Sequence, residues 1–295
     1  MVKSIVPKLF GGAAPANPEV GQALADLARL KKDRPELSVA VALLTETLPG
    51  LFARPITENP PDLSPERAAA KLAGGVPLLR GENIKLDGEA FRRRWLHVCK
   101  VMERQQDKST ARSMASALKR GQLHPQELTA ALLSGNPDDV YTHADRLGLD
   151  AEMTAGLLRL TLFPVLAQMN TALLAFRQGG RWEKGHCPTC GSWPLLGEFR
   201  GLEQTRYLRC GWCAAEWEFP RLLCPFCATN NHHELGYFHV EGQEMKYRVA
   251  TCQACRGYVK MLSTLMPLRG PQVLVADVAT IHLDLAAAQR GFLVR

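Results

Sequence analysis

Up to about residue 176 the apolar positions recur every three or four residues, the spacing that lines one face of a helix. Beyond about residue 190 they fall into short aromatic and β-branched runs with strand-like spacing. Asn17-Pro18 supplies a capping side chain and a first-turn proline, and Val20, Leu24, Leu27 and Leu30 follow at helical spacing. Lys31-Lys32-Asp33-Arg34 closes that helix with positive charge near its C-terminal dipole. Glu36 to Leu51 predicts a second helix with Val39, Leu43, Leu44 and Leu48 inward, and a proline-rich connection over 53–63 follows it. Residues 1–16, with Gly11-Gly12 and Pro15, predict a poorly ordered start.

Ser64-Pro65-Glu66 opens a short helix that Gly74-Gly75 stops. Asp87 caps a longer one through Phe91, Trp95, Val98 and Met102, with Arg92, Arg93 and Arg94 expected on its solvated face in one or two ion pairs. Cys99 lies between Trp95 and Met102, where a buried thiol is expected. Ser109, His124 and Asn136 precede three further helical runs, separated by Gly121 and Gly135. Asp150 to Phe176 is the most apolar segment, but Arg159, Pro164, Gln168 and Asn170 interrupt it. It therefore reads as a central core helix ended by Gly179-Gly180, with no membrane span.

The strand-like runs are Trp193 to Phe199, Thr205 to Leu208, Ala215 to Phe219, Leu235 to Val240, Lys246 to Ala250 and Tyr258 to Leu262. Val275 to Arg290 returns to helical periodicity through Val278, Ile281, Leu285 and Ala288, with Asp277, His282 and Asp284 expected on a wet face. The fold class is α+β: an all-helical N-terminal domain (1–180), two small rubredoxin-like or zinc-ribbon metal-binding modules (181–222 and 223–270) and a C-terminal helix (271–295) packing back.

Cysteine placement changes the picture most. Eight of the nine cysteines form four Cys-x-x-Cys pairs: Cys187/Cys190, Cys210/Cys213, Cys224/Cys227 and Cys252/Cys255. Each such turn points two thiolates at one centre, and two turns complete a tetrahedral four-sulfur site. The spacings C-x2-C-x19-C-x2-C and C-x2-C-x24-C-x2-C suit consecutive pairing, so 187/190 should meet 210/213, and 224/227 should meet 252/255. Cys187-Pro188-Thr189-Cys190-Gly191 has both the proline and the glycine such a turn favours, whereas Ala228 stands where glycine is preferred. An S4 site suits zinc or iron and leaves no open position, which favours structural or redox use over Lewis-acid catalysis. His186, His232, His233 and His239 lie nearby as surface or supporting residues.

The formal charge of +7 falls to about +3 once two tetrathiolate sites with divalent ions are counted at about −2 each. That weakens a nucleic-acid reading, for which Trp182, Trp193, Trp212 and Trp217 beside Arg206, Arg209 and Arg221 would be the stacking surface; tryptophans filling a small core is the plainer reading. There is no visible secretory signal, and clustered cysteine pairs read as metal ligands in a reducing cytoplasm rather than disulfides. No GxGxxG, Walker A, HExxH or GxSxG motif is present, and no residue is nominated as catalytic.

His186-Cys187-Pro188-Thr189-Cys190-Gly191-Ser192, Arg206-Tyr207-Leu208-Arg209-Cys210-Gly211-Trp212-Cys213, and Ala276-Asp277-Val278-Ala279-Thr280 with Leu283-Asp284 resemble the FdhE family of formate dehydrogenase accessory proteins. The resemblance implies a cytoplasmic, non-enzymatic assembly factor. Its expected partner is the catalytic subunit of respiratory formate dehydrogenase, and its expected cofactors are two metal ions, with iron favoured over zinc. Cys187, Cys190, Cys210, Cys213, Cys224, Cys227, Cys252 and Cys255 would be the ligands. The competing readings are a nucleic-acid-binding zinc-ribbon protein and a rubredoxin-like electron carrier.

Overall fold

A computed structural model describes residues 17–105, 108–134, 138–177 and 182–294. The expectations for residues 1–16, Gly135, Asn136 and Gly179-Gly180 lie outside those residues. The first half is helical: α1 (Pro18–Asp33), α2 (Ser38–Leu51), α3 (Pro65–Ala73), α4 (Gly88–Gln105), α5 (Lys108–Lys119), α6 (Pro125–Ser134), α7 (Asp138–Arg146) and α8 (Ala151–Ala172). Local chemistry explains the starts. Asn17 Oδ1 accepts the N–H groups of Glu19 and Val20 at 2.9 and 3.3 Å, Ser64 caps α3, and Asp150 Oδ1 takes the Met153 N–H at 2.8 Å.

The main core gathers Phe91, Trp95, Val98 and Met102 of α4, Met114 and Leu118 of α5, and Leu158, Leu162, Leu166 and Met169 of α8. Among the described residues no helix is long and apolar enough to cross a membrane. Two side chains depart from expectation. Val39 faces solvent, and α2 instead buries Val41, Leu44 and Leu48. Arg94 is buried and pairs with buried Glu58 from the proline-rich connection. Its position, three residues after Phe91 and four before Val98, puts it on the apolar face, so the arginine run is not uniformly solvated.

The second half contributes one mixed six-stranded sheet in the order β3-β2-β1-β6-β5-β4. Its strands are β1 (Pro194–Arg200), β2 (Thr205–Cys210), β3 (Glu216–Glu218), β4 (Leu235–Phe238), β5 (Tyr247–Cys252) and β6 (Tyr258–Thr264). Each cysteine module is an antiparallel three-stranded meander, and the two fuse through a parallel pairing of β1 with β6, from Gly197 opposite Met261 to Arg200 opposite Thr264. The first strand of one module thus lies beside the last strand of the other. Gly197 allows the close approach, because a Cβ there would sit 2.5 Å from the Met261 sulfur.

The C-terminal segment is two helices, not one: α9 (Gln272–Ala279) and α10 (Ile281–Gln289). Thr280, buried, turns its hydroxyl back onto the Ala276 carbonyl at 2.7 Å, and the break lets α9 and α10 bury different faces. Leu274 and Val275 of α9 join Val20, Leu27, Val41 and Phe163 of the helical half, while Ala276, Leu283 and Ala287 pack on the sheet. Leu285, expected inward, is exposed.

Candidate metal centres and the cleft beside them

The four cysteine turns share one construction. The N–H of each first cysteine donates to the carbonyl five residues on: Cys187 to Ser192, Cys210 to Ala215, Cys224 to Thr229 and Cys252 to Gly257, at 2.9–3.0 Å. The residue after each second cysteine has a left-handed backbone: Gly191 (φ 87), Ala214 (φ 56), Ala228 (φ 58) and Arg256 (φ 59). One turn precedes the first strand of each module and the other joins its second and third strands, so both pairs end on the same side of the meander.

Cys187, Cys190, Cys210 and Cys213 form one cluster, and Cys224, Cys227, Cys252 and Cys255 the other, with the ligand atoms of each within 4.8 Å of one another. Sulfur separations are 3.5 Å for Cys187–Cys213, 3.4 Å for Cys190–Cys210, and 3.7 Å for both Cys224–Cys255 and Cys227–Cys252. A disulfide would need about 2.05 Å. Sulfurs about 2.3 Å from a central ion define tetrahedron edges of roughly 3.8 Å, so each donor set fits a divalent metal held by four thiolates.

The clusters differ in setting. All four cysteines of the first are buried, whereas Cys227 is exposed and Cys255 half-buried in the second. Burial works against thiolates at Cys210 and Cys213, and hydrogen bonds from neighbouring sulfurs add to it, so both thiols are held well up. At Cys187 burial is outweighed by hydrogen bonds from Cys190, Cys210 and Cys213, which hold its thiol well down. In the second cluster burial raises Cys224 and Cys252, while at Cys227 it is outweighed by the Thr229 N–H and three cysteine neighbours. A bound cation would favour the thiolate form at the four sulfurs of each cluster.

The first cluster is seated in the helical half. Leu78 and Leu79 donate their N–H groups to the carbonyls of Pro188 and Thr189 at 2.9 Å, and the Thr189 hydroxyl donates to Asn170 Oδ1 at 2.7 Å. Gly191 is needed twice over, since a Cβ there would also lie 3.1 Å from Pro77 Cγ. The modules meet at Gly185, where a Cβ would strike the Pro225 carbonyl. The rings of His186, Trp193 and Phe226 continue the contact edge to face, at 6.0 and 5.5 Å between centroids. His232 and His233 are exposed and stack on each other in the second module. Cys99 is buried, and burial pushes its thiol up to about 12.

Sequence reasoning missed a polar network. Lys260, buried within β6, donates to Asp277 Oδ1 at 2.6 Å and Asp284 Oδ2 at 2.8 Å. Tyr258 donates its hydroxyl to Asp284 Oδ1 at 2.7 Å, and Arg159 of α8 lies 3.5 Å from Asp277. Asp277 and Asp284 therefore anchor α9 and α10 rather than forming a wet face. These residues line a cleft of about 660 Å³ with Trp193, Trp212 and Phe226. The available signal was Lys260 itself, a charge in the middle of Tyr258-Val259-Lys260-Met261-Leu262. The proposed stacking surface also changes: Arg206, Arg209 and Trp217 are buried, and Arg209 is paired with Glu198 and Glu216.

Fold and site together define a class: an α+β protein that carries two four-cysteine clusters on one sheet and seats one of them in a helical half. A model of the FdhE central domain matches residues 186–221. The chain is 38% identical over 109 residues to a Protein FdhE homolog of Stutzerimonas stutzeri, covering 36% of this chain and 35% of that protein. It is 31% identical over 173 residues to the Protein FdhE homolog of Edwardsiella ictaluri, covering 57% and 51% respectively. The aligned segments therefore span about a third to a half of these relatives. The crystal structure of the FdhE protein from Pseudomonas aeruginosa superposes over 96% of this chain and 95% of that one, with a TM-score of 0.64 at 24% identity, which establishes the shared fold. The chain is thus similar to FdhE proteins in sequence over part of its length and in fold over nearly all of it.

Proposed function

We propose that this protein is a cytoplasmic accessory factor that binds the catalytic subunit of respiratory formate dehydrogenase and supports its maturation or activation, and that it is not itself an enzyme. In this reading two metal ions, iron or zinc, are held by Cys187, Cys190, Cys210 and Cys213 in a first module (181–222) and by Cys224, Cys227, Cys252 and Cys255 in a second (223–270). The observation that carries it is the pair of four-sulfur clusters in a chain similar to FdhE proteins. Four protein sulfurs fill the coordination sphere, which suits a brace for a docking surface better than an open Lewis-acid site.

The direct test is co-purification. The tagged protein, expressed with the formate dehydrogenase catalytic subunit, should retain it, and bulk elemental analysis should return two metal equivalents per chain. A wild-type protein that carries its metals and never retains the subunit would sink the partner claim. The exposure of Cys227 gives some support to an electron-carrier reading, since it brings a second-cluster ion near solvent. That reading requires iron with reversible colour change on reduction; zinc at both sites ends it. Binding to generic DNA or RNA gains nothing from the structure, because two of the three arginines expected to form that surface are buried.

A further inference from the structure

Arg206 is a buried cation without an anion. It is 5% exposed, and Nη1 donates only to the carbonyls of Pro220, Arg221 and Leu223, at 3.2, 3.5 and 3.2 Å. Its Nε is buried without a partner, and among the described residues no carboxylate pairs with it. Leu223 leads directly into Cys224. Arg206 lines a small cavity of about 40 Å³ with Cys224 and Cys252, the two buried cysteines of the second cluster, and no Asp or Glu lines that cavity. Arg221, the other cation there, is exposed. The first cluster offers a contrast: its buried neighbour Arg209 already has Glu198 and Glu216.

The Arg206 guanidinium also lies 5.5 Å from the centre of the Phe219 ring, but burying a guanidinium against carbonyls and a ring face is costly, and folds normally supply an opposite charge. Four thiolates around a divalent ion carry a net charge of about −2. We infer that Arg206 is the fixed counter-charge of the second cluster, a positioning residue that holds the loaded site by compensating the negative charge metal binding creates. This rests on the reading of Cys224, Cys227, Cys252 and Cys255 as ligands. The metal-free module then contains a cation whose partner arrives only with the ion, so charge at position 206 should favour the loaded state and burden the empty one.

Arg206→Lys and Arg206→Gln in the full chain separate charge from shape, since both lose the guanidinium fork and only one loses the charge. Zinc affinity is measured by competition with a chromophoric chelator, and the phase lost in Cys227→Ser marks the second cluster. R206Q should weaken that phase about ten- to a hundredfold, the size expected for unit charges several ångströms apart at an effective dielectric of about 20, while R206K stays within about threefold of wild type. The first-cluster phase should not move. Metal-free R206Q should melt above metal-free R206K, the reverse of the loaded order, a reversal that lost packing alone does not produce. Equal weakening in both variants, or none in R206Q, overturns the inference. A wild-type chain with no second zinc overturns the ligand assignment, and the inference with it.

Discussion

A left-handed backbone costs an L-residue with a Cβ roughly 1–2 kcal/mol and glycine almost nothing. The four cysteine turns all require it, yet glycine occupies only the first; Ala214, Ala228 and Arg256 accept it at φ between 56 and 59. Ala228 is exposed, so its methyl contributes no packing. Ala228→Gly should therefore stabilise the metal-loaded protein by about 0.5–1 kcal/mol after the entropy of an added glycine is subtracted, a rise of about 1–3 °C in melting temperature. Gly191→Ala should do the opposite and by more, since φ is 87 and Pro77 stands 3.1 Å from the new methyl. Scanning calorimetry of both variants checks the pair, and a lower melting temperature for A228G would refute the account of the turn. Ala228 is also where the sequence is most informative: a preferred glycine is missing, and the backbone nevertheless keeps the glycine-like angle.

At the scale of elements, local pattern and long-range arrangement part company. Every strand announced by short aromatic and β-branched runs is present, and so are the capped helices, because caps, turns and periodicity are properties of a few adjacent residues. The pairing of β1 with β6 is not legible in the same way. It joins Gly197 to Met261 across both modules, and neither strand carries a local mark of its neighbour. Periodicity likewise runs through Thr280, where tertiary packing divides α9 from α10. The Tyr258–Asp284 contact is the tie between β6 and α10, and it has a pH signature. Burial and then the Asp284 carboxylate push the Tyr258 phenol up, so the folded chain keeps a proton that the unfolded chain releases near pH 10. The stabilisation is present below about pH 10 and is lost as the pH rises beyond it. Tyr258→Phe should cost about 1 kcal/mol at neutral pH, for a hydrogen bond to a partly exposed carboxylate. Denaturant titrations of both proteins from pH 7 to 11 should converge as the wild type loses its advantage; a constant gap would show that the phenol ionises alike in both states.

Across the whole molecule the two clusters, alike in construction, hold different things together. The first lies inside the main core, where Cys187, Cys190, Cys210 and Cys213 belong to one apolar cluster with residues of α4, α5 and α8. The loop at Leu78-Leu79 is hydrogen-bonded to its first turn, Thr189 reaches Asn170 on α8, and Arg177 donates to the Glu216 carbonyl of β3. Loss of the ion proposed for the first cluster should consequently loosen the helical half as well as the sheet. The second cluster has an exposed rim at Cys227 and sits on strands at the far side of the β1–β6 seam, so its loss should stay local. Hydrogen exchange can separate these outcomes. In Cys210→Ser, the amides of Leu78, Leu79 and the last turns of α8 should exchange at least about tenfold faster, the equivalent of about 1.4 kcal/mol of lost protection under rapid opening and closing. In Cys227→Ser those amides should keep their wild-type rates, while the Thr229 carbonyl loses its hold on Cys224 and the Cys224 amide speeds up. If both variants loosened the helical half equally, the sheet would be transmitting strain across β1 and β6 as one rigid body, and the assignment of an inner staple and an outer, more labile site would fail.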